Sequence, residues 1–316
     1  MIVLQRTGAR LIKLLLVLLL VSMAAFALLE LAPGSPLDML LPEGTSDEVR
    51  AQVADSYGLN DPMVVRYVTW LGNVLQGDLG RSIQTNVPVS QAIAERLPVT
   101  VELAAFATIL ALAVAVPLGV YCGYRPGSRV DRFVTTISSG ILSIPNFLLA
   151  LVLIYVFAVS LGMFPVTGWT PWSEGVGPHL QSIALPVVAL ALAEVVSFQR
   201  LLRGDMATTL QQDFVMSAKS RGIPLRRILF GHALRPSSFS LITVLGVSLG
   251  RLIGGTVIIE SLFSLPGLGT LVINSVSARD FVTVQGIVLV IATVYVVLNA
   301  LVDLAYPLLD PRVRAA

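Results

Sequence analysis

The chain has 316 residues, 55% of them hydrophobic and 13% charged, with a net charge of +2 and a mean hydropathy of +0.83. A soluble domain carries roughly a quarter charged residues, so this chain lacks the polar surface to cover itself in water, and so small a net charge argues against a nucleic-acid partner. The single cysteine, Cys122, excludes an intrachain disulfide and leaves no second thiol for a metal; burial near a helix end is its expected place.

The composition predicts an all-α integral membrane protein. A bilayer core takes about 20 apolar residues per helix, and about six runs meet that length: Leu11 to Leu31, Val99 to Tyr121, Phe133 to Leu161, Ile183 to Leu202, Phe239 to Ile259 and Val284 to Tyr306. The first resembles a secretory signal, because Arg6, Arg10 and Lys13 precede it and Ala25-Phe26-Ala27 imitates a cleavage site. Its apolar stretch is too long for a signal core and contains that site, so residues 1–31 read as a cytoplasmic arm and an uncleaved first helix.

Lysine and arginine in short loops stay on the cytoplasmic side during insertion. Basic residues gather in the amino-terminal arm, at Arg125, Arg129 and Arg132, at Arg200, Arg203, Lys219, Arg221, Arg226, Arg227 and Arg235, and at Arg312 and Arg314 in the tail 307–316. Of the alternate short stretches, Met163 to Ser182 holds no lysine or arginine and Ser261 to Thr283 only Arg279. Both termini are therefore expected in the cytoplasm.

Residues 32–98 form the one sizeable polar region and are expected outside the cytoplasm. Pro33, Gly34 and Pro36 should end the first helix. A helix is predicted from Asp61 to Gly77, with Pro62 at its first position. Its Val64, Val65, Val68 and Leu71 mark an apolar face, while Tyr67 and Trp70 suit a membrane surface. A small subdomain capping the helix bundle is the plainer reading.

Within the core region 99–306, Pro117, Pro145 and Pro186 each remove a backbone hydrogen bond, which lipid cannot replace, so these helices should face protein or a cavity. Gly246, Gly250 and Gly254 repeat every four residues, a small-residue stripe that admits a close helix neighbour within this chain or from a partner. The same stretch matches the hydrolase pattern G-x-S-x-G around Ser248, but that motif requires a strained turn and a histidine base; His179 and His232 fall in loops on opposite sides of the membrane. No lysine follows a glycine, so the chain has no phosphate-binding P-loop. No catalytic, cofactor or metal site is predicted.

Three ionisable groups fall within or near the spans. Glu194 and Arg251 have opposite signs on consecutive, antiparallel spans, where they form either a structural ion pair or part of a solute path. Glu102 is expected at the aqueous boundary.

The cytoplasmic segment 204–238 is the most informative part of the chain. Asp213 to Ser220 should form a short helix, Gly222 should break it, and Pro224 should open a second helix reaching His232. Such a bent basic pair is a dock for a peripheral subunit or a loop held near anionic headgroups.

The stretch D-F-V-M-S-A-K-S-R-G from Asp213 to Gly222, followed by H-A-L-R-P from His232 to Pro236, resembles the EAA loop of ABC importer permeases of the oligopeptide and dipeptide branch. Four later stretches match in the same order: G-G-T-V-I-I-E at Gly254 to Glu260, P-G-L-G at Pro266 to Gly269, R-D-F at Arg279 to Phe281, and L-L-D-P-R-V-R at Leu308 to Arg314. So do Y-G-L-N-D-P at Tyr57 to Pro62 and G-D-L-G-R-S at Gly77 to Ser82. The resemblance implies the type I permease fold and a second, similar permease as partner, with two cytoplasmic ATPase subunits that bind ATP and Mg, and an extracytoplasmic substrate-binding protein. It implies that Asp213, Ser217, Ala218, Lys219, Arg221, Gly222 and Pro224 belong to an ATPase-coupling loop. Met216 stands where that family would place a glutamate, and Ser35 where many relatives would show aspartate. The rival reading is a secondary transporter or channel driven by an ion gradient, which would give the bent basic loop no task. The transported solute is not legible.

Overall fold

In an apolar medium the backbone must satisfy its own hydrogen bonds, and the apolar runs accordingly fold as helices. The computed structural model describes residues 2–30, 45–56 and 60–309. The expected stop at Pro33, Gly34 and Pro36, together with Ser35, Tyr57 to Leu59, Arg312 and Arg314, lies outside the described residues.

In chain order the helices are α1 (Ile2–Glu30), α2 (Asp47–Ser56), α3 (Met63–Leu75), α4 (Val89–Tyr124), α5 (Arg129–Leu142), α6 (Asn146–Leu153, continued as a π-helix over Ile154–Ser160), α7 (Val176–Thr209) and α8 (Asp213–Ser220). Then come α9 (residues 225–237, with a π segment at Ile228–Ala233), α10 (Phe239–Gly255), α11 (Val257–Leu262), α12 (Leu268–Ser277) and α13 (Phe281–Leu309). Among the described residues four stretches are long and apolar enough to cross a membrane, Val89–Tyr124, Val176–Thr209, Phe239–Leu262 and Phe281–Val302, and a fifth if the bent pair Arg129–Leu142 and Asn146–Ser160 is one span. With 29 residues, α1 spans about 43 Å at 1.5 Å per residue, more than a bilayer core.

Two expected boundaries change. The second span begins at Val89 rather than Val99, so Pro98 lies inside α4. The third run is two helices, α5 and α6, bent by 105°, because Pro145 takes an extended conformation (φ −57°, ψ 141°) and starts α6 afresh.

The chain divides into two compact units, Met1–Pro98 with Thr270–Val296, and Val99–Gly269 with Val297–Ala316. In the first unit α3 meets α1 through aromatic rings. Phe26 lies 5.5 Å from Tyr67 and 5.8 Å from Trp70 between ring centres, and the Tyr67 hydroxyl is 2.7 Å from that of Ser22. On this helix Val64, Val65 and Val68 are exposed, while Tyr67 and Trp70 pack against Phe26. Pro62 is the residue before the helix rather than its first member.

The same unit explains two motifs far apart in sequence. Asp280, buried, accepts from the Ser82 hydroxyl (2.5 Å) and the Thr283 hydroxyl (2.7 Å). The Thr283 N–H reaches its other oxygen at 3.3 Å, so Asp280 caps α13. Gly80 has φ +84°, and an added Cβ would lie 2.8 Å from Val282.

The second unit is arranged around α7, which packs on α5, α6, α10 and α11. α4 also approaches α7 closely: a Cβ on Gly119 would stand 3.0 Å from Leu202, and one on Gly123 would stand 2.6 Å from Met206. Asp131 joins α5 to α7 by accepting a two-pronged bond from Arg203, at 2.5 Å from Nε and 2.8 Å from Nη2. It also accepts from the Gly127 N–H. Cys122 is fully buried. Glu260, fully buried, accepts from the Thr100 hydroxyl (2.7 Å) and the Gly269 N–H (2.6 Å), while Thr100 accepts from the Leu268 N–H (2.8 Å). A side chain on Gly267 or Gly269 would collide with the Glu260 carboxylate.

The glycine stripe on α10 is only partly used within this chain. Gly246 and Gly250 are buried, and a Cβ on Gly246 would lie 2.6 Å from Val302. Gly254 is exposed, and an added Cβ there would meet nothing within 4 Å in this chain.

Two predictions follow from this packing. Gly246→Leu should destabilise the detergent-purified chain by about 1–3 kcal/mol through overpacking, whereas Gly254→Leu should leave its thermal midpoint unchanged; equal losses would mean that both glycines are packed. Asp131→Ala should cost about 2 kcal/mol or more by leaving Arg203 unpaired. The double variant Asp131→Ala/Arg203→Met should then be less destabilised than the sum of its single changes, and strict additivity would show that the pair is not coupled.

Candidate functional site

The segment after α7 owes its shape to one glycine. α8 carries Asp213 in its first turn and Lys219 in its last, signs that complement the helix dipole. Past its end, Gly222 adopts φ +74°. The Gly222 N–H donates to the Lys219 carbonyl (3.0 Å), and the Ile223 N–H donates to that of Ala218 (3.2 Å). These paired bonds close the helix in the left-handed manner that glycine permits. An added Cβ would meet nothing within 4 Å, so the requirement is conformational rather than spatial.

The turn delivers Ile223 onto a small core of Val215, Ala218 and Ile228, joined by Leu210. Pro224 then sits at φ −63°, ψ 141° immediately before α9. At the far end, the hydroxyls of Ser237 and Thr209 meet at 2.9 Å in a buried position, tying the end of α9 to the end of α7.

The outer surface of this bent pair is apolar and basic together. Phe214, Met216, Leu225 and Phe230 are exposed beside Lys219, Arg221, Arg226 and Arg227. Of the predicted coupling residues, Asp213, Ser217, Lys219, Arg221, Gly222 and Pro224 are exposed, but Ala218 is buried. Ala218 supports the surface from beneath. Phe214, Leu225 and Phe230 escaped the sequence reading, although apolar residues interspersed in a basic loop were the available signal.

Glu194 and Arg251 meet: Arg251 Nη2 donates to Glu194 Oε1 at 2.7 Å. The two differ in exposure, the Glu194 side chain being 4% and the Arg251 side chain 62% accessible. Glu194 Oε2 is buried without a partner.

Glu102 is hydrogen-bonded to two neighbouring rings. Its Oε1 lies 3.0 Å from Trp172 Nε1 and 2.8 Å from His179 Nε2. His179 is fully buried, stacked on Trp172 at 3.8 Å, with Nδ1 2.7 Å from the Thr170 carbonyl. The G-x-S-x-G stretch lies within the continuous helix α10 with Ser248 buried, which denies it the strained turn of a hydrolase. Among the described residues no three His, Cys, Asp or Glu side chains gather as a metal site.

Comparison with known proteins bears on this arrangement. The chain is 37% identical over 305 residues to a probable peptide ABC transporter permease of Sinorhizobium fredii, covering 96% of this chain and 97% of that one. It is 39% identical over 298 residues to a putative peptide transport system permease of Brucella abortus, covering 94% and 95%. It is 37% identical over 301 residues to the oligopeptide transport system permease AppB of Bacillus subtilis, again covering 94% and 95%. The fold matches that of the MetNI methionine ABC transporter in an inward-facing conformation, with a TM-score of 0.58 at 14% identity over 70% of this chain and 97% of that one. The family of binding-protein-dependent transport system inner membrane components is matched by its amino-terminal model over residues 3–104 and by its main model over residues 115–315. Matched by both models in chain order, the protein belongs to that family of permeases.

Proposed function

We propose that this chain forms one half of the translocation path of an ATP-driven importer for peptides or similar small solutes, and that it receives the movement of the ATPases through segment 204–238. The names of its relatives support the solute class. The observation that carries the coupling role is the Gly222 turn, because it holds two short helices at a fixed bend with an apolar, basic surface outward.

The second half of the path is a similar permease. Two cytoplasmic ATPase subunits bind ATP and Mg, so this chain is not an enzyme by itself, and an extracytoplasmic binding protein delivers the solute. ATP draws the ATPases together, the bent helices carry that motion, and the paired bundles open outward; hydrolysis resets them inward. Met216 offers an exposed thioether where the family pattern has a carboxylate, so its contact with the ATPase is apolar. Both termini lie in the cytoplasm of a multi-pass inner-membrane protein.

Gly222 variants test the coupling. Valine in the left-handed region costs on the order of 1–2 kcal/mol, whereas asparagine tolerates it. In the reconstituted importer Gly222→Val should insert and fold but lose solute-stimulated ATP hydrolysis and uptake together or uncouple them, and Gly222→Asn should retain both. Normal coupling in the valine variant would overturn the role of the bend.

Orientation is tested by thiol labelling. Ser173 and Ser220 are exposed and Cys122 is buried, so single cysteines at the two serines in a Cys122→Ser background report cleanly. The first should label from outside and the second from the cytoplasm; labelling of both from one side would refute the topology.

A further inference from the structure

Arg251 stands near the middle of the apolar stretch Phe239–Leu262. Its side chain is 62% exposed, and it shares that stretch with one other ionisable residue, Glu260, which is fully buried. Val247 on the same helix and Ile258 at the start of α11 are exposed as well. Gly254 and Gly255 are exposed too, and neither would bring an added Cβ within 4 Å of anything. The guanidinium therefore sits on an open surface lined by small residues.

Lipid is a poor neighbour for that group, since a charge at the bilayer centre is expensive. The bond from Nη2 to Glu194 Oε1 leaves other N–H donors of the five-donor fork available. A fork of that shape matches a carboxylate with two parallel hydrogen bonds. Glu194, almost fully buried behind it with a second oxygen unpartnered, offsets the positive charge. A path must bind its cargo firmly enough to admit it and weakly enough to release it, and a guanidinium with a resident counter-ion meets both demands.

We propose that Arg251 is a contact for the carboxylate of the solute within the translocation path, with Glu194 as the positioning residue that aims the guanidinium and moderates its hold. This inference rests on the importer reading above and adds a site and a ligand chemistry to it.

The test uses the complete importer in liposomes with saturating binding protein. The probes are trialanine, trialanine amide, and the amide of Ala-Glu-Ala, which carries its only carboxylate on a side chain. The binding protein is common to all variants, so the change in the acid-to-amide uptake ratio isolates this chain. In Arg251→Gln the ratio should fall about tenfold, as expected for loss of one charge-assisted contact, with Arg251→Lys intermediate because it keeps the charge without the fork. If Ala-Glu-Ala amide is as sensitive to Arg251→Gln as trialanine, the contact accepts any carboxylate; if it is insensitive, the contact is specific for the peptide terminus. Either result supports the proposal. An unchanged ratio in Arg251→Gln would overturn it. Failure of both Arg251 variants to assemble would place the guanidinium in a subunit interface and overturn it as well. Failure of the unmodified importer to carry any of the three probes would instead overturn the peptide reading, and this inference with it.

Discussion

A carboxylate withdrawn from water must collect its hydrogen bonds from the chain around it, and Glu260 does so with the Thr100 hydroxyl and the Gly269 N–H. The loop after α11 is built to make this possible. Gly267 and Gly269 have no side chains because any Cβ would collide with the carboxylate, and Thr100 spends its hydroxyl hydrogen on Glu260 while accepting from the Leu268 N–H. Leaving a buried charge or donor unmet costs more than a made bond returns, so the arrangement is all or nothing. Asp280 with Ser82 and Thr283, and Asp131 with Arg203 and Gly127, obey the same rule at other helix ends. Charged residues are scarce in this chain, and each of these acids fixes where a helix begins or which neighbour it holds.

The segment 204–238 follows the opposite logic. Its interior is a small apolar core under a left-handed glycine turn, and its exterior leaves Phe214, Met216, Leu225 and Phe230 exposed among basic side chains. A solvated loop has no reason to leave four large apolar groups exposed, whereas a docking segment does. Arg251 is a second such place, a polar group on an otherwise apolar face.

Much of this was legible in the sequence because hydropathy, proline and glycine act locally. The apolar runs gave the helices, Gly222 and Pro224 gave the bent pair, and opposite charges on consecutive spans gave Glu194 with Arg251. What escaped depended on neighbours distant in the chain. The Ser82–Asp280 bond joins residues 198 apart, and Pro145 announces a break but not its 105° angle. The glycine stripe divides within this chain for a geometric reason: a four-residue step advances about 40° too far around a helix of 3.6 residues per turn. Gly254 therefore lies about 80° around from Gly246, beyond the contact with Val302. The contact of Tyr67 and Trp70 with Phe26 likewise joins residues too far apart in the chain for the valine spacing to announce it.

The central claim is that the exposed face of residues 213–230 is held by an ATPase subunit. Photo-crosslinking from a benzophenone amino acid placed at Met216, in the assembled importer in native membranes, asks this directly. The captured partner, identified by mass spectrometry of the crosslinked peptide, should be an ATPase subunit, and the same group placed at buried Ala218 should capture none in a folded chain. Capture of lipid alone at Met216, with no protein partner, would contradict the account.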